Sequence, residues 1–106
     1  MSQFDVHRNV GRRRESIPFV VVAQSRLFDG YRRRVVIPLV RRSVLGRIVN
    51  PRLNPSFKIE GIAVVLHPLQ IVSVATAQVG ECVGCLAAEA DAVVAALDEL
   101  FTRAFG

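Results

Sequence analysis

Residues 19–40, FVVVAQSRLFDGYRRRVVIPLV, decide the fold that this sequence predicts. Residues 19–23 and 35–40 are runs rich in β-branched side chains, which favour the pleated, half-buried surface of a sheet. The connector between them contains Asp29 and Gly30, a pair typical of turns. The stretch therefore predicts a β-hairpin. Pro38 cannot donate to a strand ladder, so we expect the second strand to end there, to bulge or to lie at an edge.

Further strands are predicted on both sides of this hairpin. Residues 3–7 alternate polar and apolar, residues 56–59 and 62–66 flank a Glu60-Gly61 turn, and residues 71–74 form a last β-branched run. Residues 43–49 fit either a helical turn or an irregular edge segment. From Cys85 or Leu86 onward, apolar residues recur at three- and four-residue steps, which is typical of an amphipathic helix. This apolar set is Leu86, Ala90, Val93, Val94, Leu97, Leu100, Phe101 and Ala104.

This order of elements predicts a mainly β (β+α) fold: a small barrel or curled antiparallel sheet with one C-terminal α-helix. At 106 residues, a single domain spanning residues 1–106 is expected. Hydrophobic residues make up 51% of the chain, so we expect part of this apolar surface to be covered in a homodimer. No apolar run approaches the ~20 residues of a membrane span, and the first residues contain no apolar signal core, so a cytoplasmic location is expected.

The net charge of +5 comes almost entirely from arginine. Three short clusters lie at predicted loops or strand ends: residues 12–14, 32–34 and 41–42. Guanidinium groups pair well with phosphates and with carboxylates, so these clusters indicate either an acidic partner or simply a solvated basic surface. We expect an acidic partner somewhere on the protein.

Few residues point to catalysis or metal binding. Cys82 and Cys85 form a CxxC motif at the expected start of the helix. The motif fits a redox pair or half of a zinc site, but we expect two small, semi-buried thiols that only begin the helix. Zinc needs further ligands, and His7 and His67 are isolated in sequence. His7 is moreover expected to face solvent. Because the chain also lacks the common hydrolase and nucleotide-binding motifs, we expect no catalytic residues, no metal and no cofactor.

The hairpin contains Gln-Ser at 24–25, Leu-Phe-Asp at 27–29, arginines after it and Val-Val-Ile-Pro-Leu at 35–39. In these residues it resembles the hairpin of the CcdB family of toxins. The resemblance extends outward over nearly the whole chain, to segments at residues 3–6, 14–16, 53–55, 79–81 and 96–101. It implies an SH3-like barrel with a small wing sheet and a C-terminal α-helix, assembled as a symmetric homodimer.

The resemblance also implies a function without catalysis. CcdB-like toxins bind the A subunit of DNA gyrase and trap the enzyme on cleaved DNA. A disordered, acidic CcdA-like antitoxin neutralises them, and the toxin–antitoxin complex represses its own operon, so DNA is contacted only through the antitoxin or gyrase. The residues implied in gyrase binding are Leu27, Phe28, Asp98, Thr102, Arg103, Ala104 and Phe105. The residues expected to bind the antitoxin are Arg12, Arg13, Arg14, Arg41 and Arg42.

The C-terminus departs from the family pattern. Family toxins end in Trp-Gly-Ile after the phenylalanine that matches Phe101, whereas here residues 102–106 read TRAFG and the chain has no tryptophan. A buried tryptophan anchor contributes ~2 kcal/mol or more, about thirtyfold in affinity. Two alternatives to gyrase poisoning therefore stay open: a family member that only binds antitoxin and regulates its operon, and a MazF-like endoribonuclease. Leu27 and Phe28 likewise have an alternative role, covering the core of the dimer.

Overall fold

The computed structural model describes residues 1–102, apart from the side chain of Arg26. This part of the chain forms seven β-strands and two α-helices, with short 3₁₀ turns between some of them. The strands are β1 (Asp5–Asn9), β2 (Phe19–Val22), β3 (Arg33–Arg41), β4 (Ser56–Ile59), β5 (Ile62–Leu66), β6 (Val72–Ala75) and β7 (Val79–Cys85). The helices are α1 (Arg42–Leu45), a single turn, and α2 (Ala90–Phe101).

The strands form one antiparallel sheet in the order β4-β5-β3-β2-β1-β7, and β6 branches off by pairing with the first half of β3. The sheet curls into a half-barrel, and β6 with the start of β3 forms a small wing. Buried side chains of the sheet, including Phe19, Ile37 and Leu39, pack together with Val93 and Ala96 of α2. The predicted mainly β fold with a barrel-like sheet and a C-terminal helix is confirmed.

The predicted central hairpin is present, and β2 pairs with β3 from Phe19 opposite Leu39 to Val22 opposite Val36. The prediction for Pro38 was wrong, because β3 runs straight through this residue in the middle of the sheet. The other edge of β3 pairs with β6 up to Val36 and with β5 from Leu39 onward. The carbonyl of Pro38 accepts the His67 backbone N–H at 3.0 Å, so its nitrogen faces this gap between partners, where no donor is required.

The second predicted hairpin, β4 and β5, is confirmed with the expected bounds. Its turn has positive φ angles at Glu60 (51°) and Gly61 (79°), as a two-residue hairpin loop of this handedness requires. The segment left open between a helical turn and an edge contains α1, so the helical interpretation holds for its first residues.

The C-terminal part was predicted less well. The CxxC motif lies on a strand, β7, and not at the start of a helix as predicted. Both of its cysteines, Cys82 and Cys85, are exposed. The helix α2 begins only at Ala90, after a 3₁₀ turn. Val94 and Phe101, assigned to its apolar face, are exposed. Neither helix within residues 1–102 has the length and apolar character to cross a membrane.

His7 was predicted to face solvent, and this was wrong: the residue is only 6% exposed. The strand β1 is paired on both edges, by β2 and by β7. Val20, the cross-strand partner of His7, belongs to a second buried apolar cluster together with Val22 and Val36. The alternation of polar and apolar residues therefore does not mark a solvated face here.

Candidate functional site: a wing tip, a basic groove and a helix end

The turn between β2 and β3 exposes large apolar side chains at what we call the wing tip, residues 27–31. Leu27 is 87% exposed and Phe28 46% exposed, and the exposed ring of Tyr31 lies 5.9 Å from that of Phe28. A 3₁₀ turn, Arg26–Phe28, presents the pair. The Ser25 hydroxyl oxygen supports this turn by accepting the Leu27 backbone N–H at 3.2 Å. The expected exposure of the apolar pair is thus present.

Polar side chains beneath the wing tip hold it in shape. Arg34 is 5% exposed and donates to the carbonyl oxygens of Asp29, at 2.8 Å, and of Tyr31. Gln24 accepts the Val35 backbone N–H at 2.8 Å. Because guanidinium donors bonded to loop carbonyls restrain the backbone, the apolar side chains are held out on an ordered loop.

Four of the five arginines predicted to contact an antitoxin line one groove of about 830 Å³: Arg12, Arg13, Arg14 and Arg41. Arg41 is positioned by its guanidinium Nε, which donates to the Glu15 carbonyl at 2.7 Å. We call this surface the basic groove. With Glu15 as its acidic member, its charge favours carboxylate-bearing ligands.

Arg13 also lines a neighbouring apolar groove of about 410 Å³, which lies over the second buried cluster and includes Val20, Val36 and Val72. A segment that carries both acidic and apolar residues would therefore find complementary contacts in two adjoining grooves. The sequence patterns gave no signal for this adjacency, because the residues of the two grooves come from three separate parts of the chain, 9–20, 36–44 and 70–79.

The other arginines have different roles. Arg42 does not line the basic groove, and its guanidinium donates to the Gly46 carbonyl at the end of α1. In the 32–34 cluster, Arg33 donates to the Ser73 hydroxyl at 2.8 Å, and Arg34 is the buried support of the wing tip. The arginine clusters of the sequence are therefore not equivalent surfaces.

The end of α2 carries the remaining residues predicted to bind gyrase. Asp98 and Thr102 line a shallow groove of about 490 Å³ with Asn50, and both side chains are exposed. An ion pair of 3.0 Å between Arg52 and Glu99 lies in the same groove. Arg103, Ala104 and Phe105 lie outside the described residues. The wing tip and the end of α2 belong to separate elements, and both expose side chains that a partner could contact.

Residues that sequence reasoning missed include Arg34 and Tyr31 at the wing tip and Arg52 at the helix end. Tyr31 carried a usable signal, since an aromatic residue three positions after Phe28 in the same short turn can reach it. Arg34 carried none, because it is one of three consecutive arginines and only the tertiary structure distinguishes them.

Comparison with known proteins bears on these surfaces. The family model described as CcdB protein matches residues 3–103, nearly the whole chain. A comparison with curated proteins found no match. Family membership makes this protein the toxin of a toxin–antitoxin system, and the match includes the wing tip, the basic groove and the described end of α2. The chain belongs to the CcdB family.

Proposed function

We propose that this toxin acts as a homodimer that binds the A subunit of DNA gyrase and traps the gyrase–DNA cleavage complex. The observation that carries the proposal is the ordered apolar wing tip, in which Leu27 and Phe28 extend into solvent above the buried Arg34. Apolar anchors held in place before binding contribute most to the affinity of an interface. Asp98 and Thr102 at the end of α2, followed by residues 103–105, supply the second proposed contact.

Purified gyrase tests this proposal directly. We expect stoichiometric toxin to inhibit supercoiling and to increase the amount of linear DNA recovered after denaturation of the trapped complex. Unchanged supercoiling together with intact antitoxin binding would instead support the alternative in which the protein only binds antitoxin and regulates its operon. The missing tryptophan is the observation that favours this second candidate. If labelled RNA stays intact when incubated with stoichiometric toxin, the ribonuclease alternative is excluded.

We further propose that an acidic, disordered antitoxin segment neutralises the toxin by binding in the basic groove. The arginines that line the groove would form charge-assisted hydrogen bonds with its carboxylates, and the adjoining apolar groove would take its apolar side chains. Ordering of the segment would occur on binding, as is typical of such partners.

Charge reversal in the groove gives a prediction for the antitoxin. We expect Arg13→Glu with Arg14→Glu to weaken antitoxin binding about tenfold to hundredfold, because like charges then face each other across the interface. Isothermal titration with the cognate antitoxin measures this change. Arg47→Glu, at an exposed arginine that does not line the groove, is the control and should bind normally. Equal losses in both variants would place the antitoxin elsewhere.

The chain end gives a prediction for the target. We expect deletion of residues 104–106 to weaken gyrase binding several-fold and to leave the affinity for antitoxin unchanged, because only the gyrase contact is proposed to use this end. Surface plasmon resonance against both partners measures the two affinities. A parallel fall in both would mean that the last residues stabilise α2 rather than contact gyrase.

A further inference from the structure

The pairing of β1 with β7 brings together side chains that lie more than seventy residues apart in sequence. His7 lies opposite Cys82, and Asp5 lies opposite Cys85. Asp5 and His7 are two residues apart on one strand and so share a face of the sheet. The cysteines are three apart, which in a regular strand would place them on opposite faces.

A bulge in β7 removes this difference. Val6 pairs with Gly84 and His7 pairs with Cys82, so one step along β1 corresponds to two steps along β7. Val83 is the extra residue, and it resets the alternation of β7 by one position. Both cysteines are thereby placed across from Asp5 and His7 on the same face. On this strand the two cysteines of the CxxC motif lie beside Asp5 and His7, a position that they would not have at the start of a helix.

Three of these side chains are close enough to share an ion. A ring nitrogen of His7, the sulfur of Cys82 and a carboxylate oxygen of Asp5 all lie within 4.8 Å of one another. Three atoms at such separations lie at most about 2.8 Å from a common centre, and zinc–ligand bonds measure ~2.0–2.3 Å. The three atoms would therefore have to move toward the centre by ~0.5–0.8 Å to form the bonds.

His7 supplies an independent observation that points to a ligand. Its Nδ1 lies 2.9 Å from the carbonyl oxygen of Gly80, and a carbonyl can only accept, so Nδ1 carries the proton and donates. The other nitrogen, Nε2, then holds a lone pair, yet it is buried and has no hydrogen-bond partner. A histidine that ligates a metal typically donates its second ring N–H to a backbone carbonyl in this way.

The surrounding structure fixes this arrangement. A Cβ at Gly80 would lie 2.6 Å from the Arg8 carbonyl, so the absence of a side chain there lets β7 approach β1 closely. Arg8 pairs with Glu81 at 2.6 Å and with Glu60 at 2.8 Å, and the hydrogen bond to Glu81 raises the pKa of Arg8. The Arg8–Glu81 ion pair and the close approach at Gly80 connect β7 to β1, whereas Glu60 lies in the turn between β4 and β5.

We propose that Asp5, His7 and Cys82 form a binding site for a divalent zinc-class metal ion. The ligands are the Asp5 carboxylate, Nε2 of His7 and the Cys82 thiolate, whose thiol proton is released to solvent on binding. Water, or Cys85 after it gives up the Ala87 backbone N–H that it accepts at 3.3 Å, completes a tetrahedron. An imidazole, a thiolate and a carboxylate together favour zinc over magnesium or calcium. This site does not depend on the proposed contact with gyrase.

Cobalt as a spectroscopic substitute for zinc tests the site in the full-length, untagged and reduced protein. We expect Co²⁺ alone to bind at one ion per chain, with visible bands of tetrahedral geometry and a sulfur-to-cobalt charge-transfer band that Zn²⁺ abolishes. Cys82→Ser should remove the charge-transfer band and weaken binding at least about tenfold. Because Cys82 is exposed, this variant is expected to fold.

Matched variants make the result decisive. His7→Gln should weaken Zn²⁺ binding like Cys82→Ser, whereas His67→Gln, at the other histidine, should leave it unchanged. If His7→Gln fails to fold, the test rests on Cys82→Ser. Zn²⁺ should raise the thermal midpoint of the wild type and should not raise that of Cys82→Ser. The proposal is overturned if the reduced wild type binds no Co²⁺, if Cys82→Ser binds as tightly as wild type, or if only Cys85→Ser loses the charge-transfer band.

Discussion

Leu27→Asp is expected to abolish growth arrest and to weaken binding to gyrase at least about thirtyfold, without changing the thermal midpoint of the toxin. Leu27 is 87% exposed, so aspartate there removes an apolar anchor from a proposed interface but nothing from the core. Truncation of an anchor residue typically costs ~2 kcal/mol or more, and a buried, unpaired carboxylate adds to that cost. Growth of expressing cells, the affinity for the gyrase A subunit and thermal unfolding measure the three quantities.

The chain offers a matched control for this variant. Val49 is 88% exposed and lies in the loop between α1 and β4, away from the wing tip. Val49→Asp makes the same kind of change at the same exposure, so toxicity should persist. A thermal midpoint that collapses in Leu27→Asp but not in Val49→Asp would instead show that the wing tip covers the core of a dimer.

The elements that sequence could predict are those that local chemistry determines. The strands β2, β4 and β5 are runs rich in β-branched or large apolar residues, and Gly61 adopts the positive φ that the turn between β4 and β5 requires without steric cost. The apolar spacing also predicts that α2 exists, although the helix begins at Ala90 rather than at Cys85 or Leu86. For these segments, local preference and tertiary packing agree, so a local pattern was sufficient.

The strand β7 could not be predicted in the same way. Its sequence, VGECVGC, contains two glycines and does not alternate regularly, since the bulge at Val83 shifts its phase. Its stability comes from pairing with β1, at the other end of the sequence. The burial of His7 follows from the same long-range pairing, and Pro38 is tolerated because β3 exchanges one partner for another beside it. None of these causes is visible in a local window.

Some features of the candidate surfaces could be predicted from local sequence, and others depend on the tertiary structure. Sequence pattern and resemblance indicated Leu27 and Phe28 because a large apolar pair in a turn is unusual. The arginines of the basic groove were also anticipated, but their convergence with the apolar groove depends on the fold of the sheet. The support beneath the wing tip depends on Arg34, whose role only the structure distinguishes from that of Arg32 or Arg33.

Arg34→Met should therefore lower the free energy of unfolding by about 2–4 kcal/mol, a larger loss than any exposed substitution discussed above. The buried guanidinium donates to the carbonyl oxygens of Asp29 and Tyr31, and methionine fills a similar volume but cannot donate. Hydrogen bonds from a charged group typically contribute ~1.5–3 kcal/mol each. Urea denaturation measures the free energy, and thermal unfolding should show a midpoint lower by roughly 10–20 °C.

Two further variants separate a role in shaping the wing tip from general stability. Arg32→Met, at an exposed arginine two residues away, should unfold like wild type. Arg34→Lys keeps the positive charge but has one nitrogen in place of the two that donate separately to Tyr31 and Asp29. We therefore expect intermediate stability, and a loss of gyrase binding larger than the loss of folded protein would explain. If Arg34→Met retained full stability and full binding to gyrase, the ordered loop would not be what presents Leu27 and Phe28, and preorganisation of the wing tip would no longer account for its proposed function.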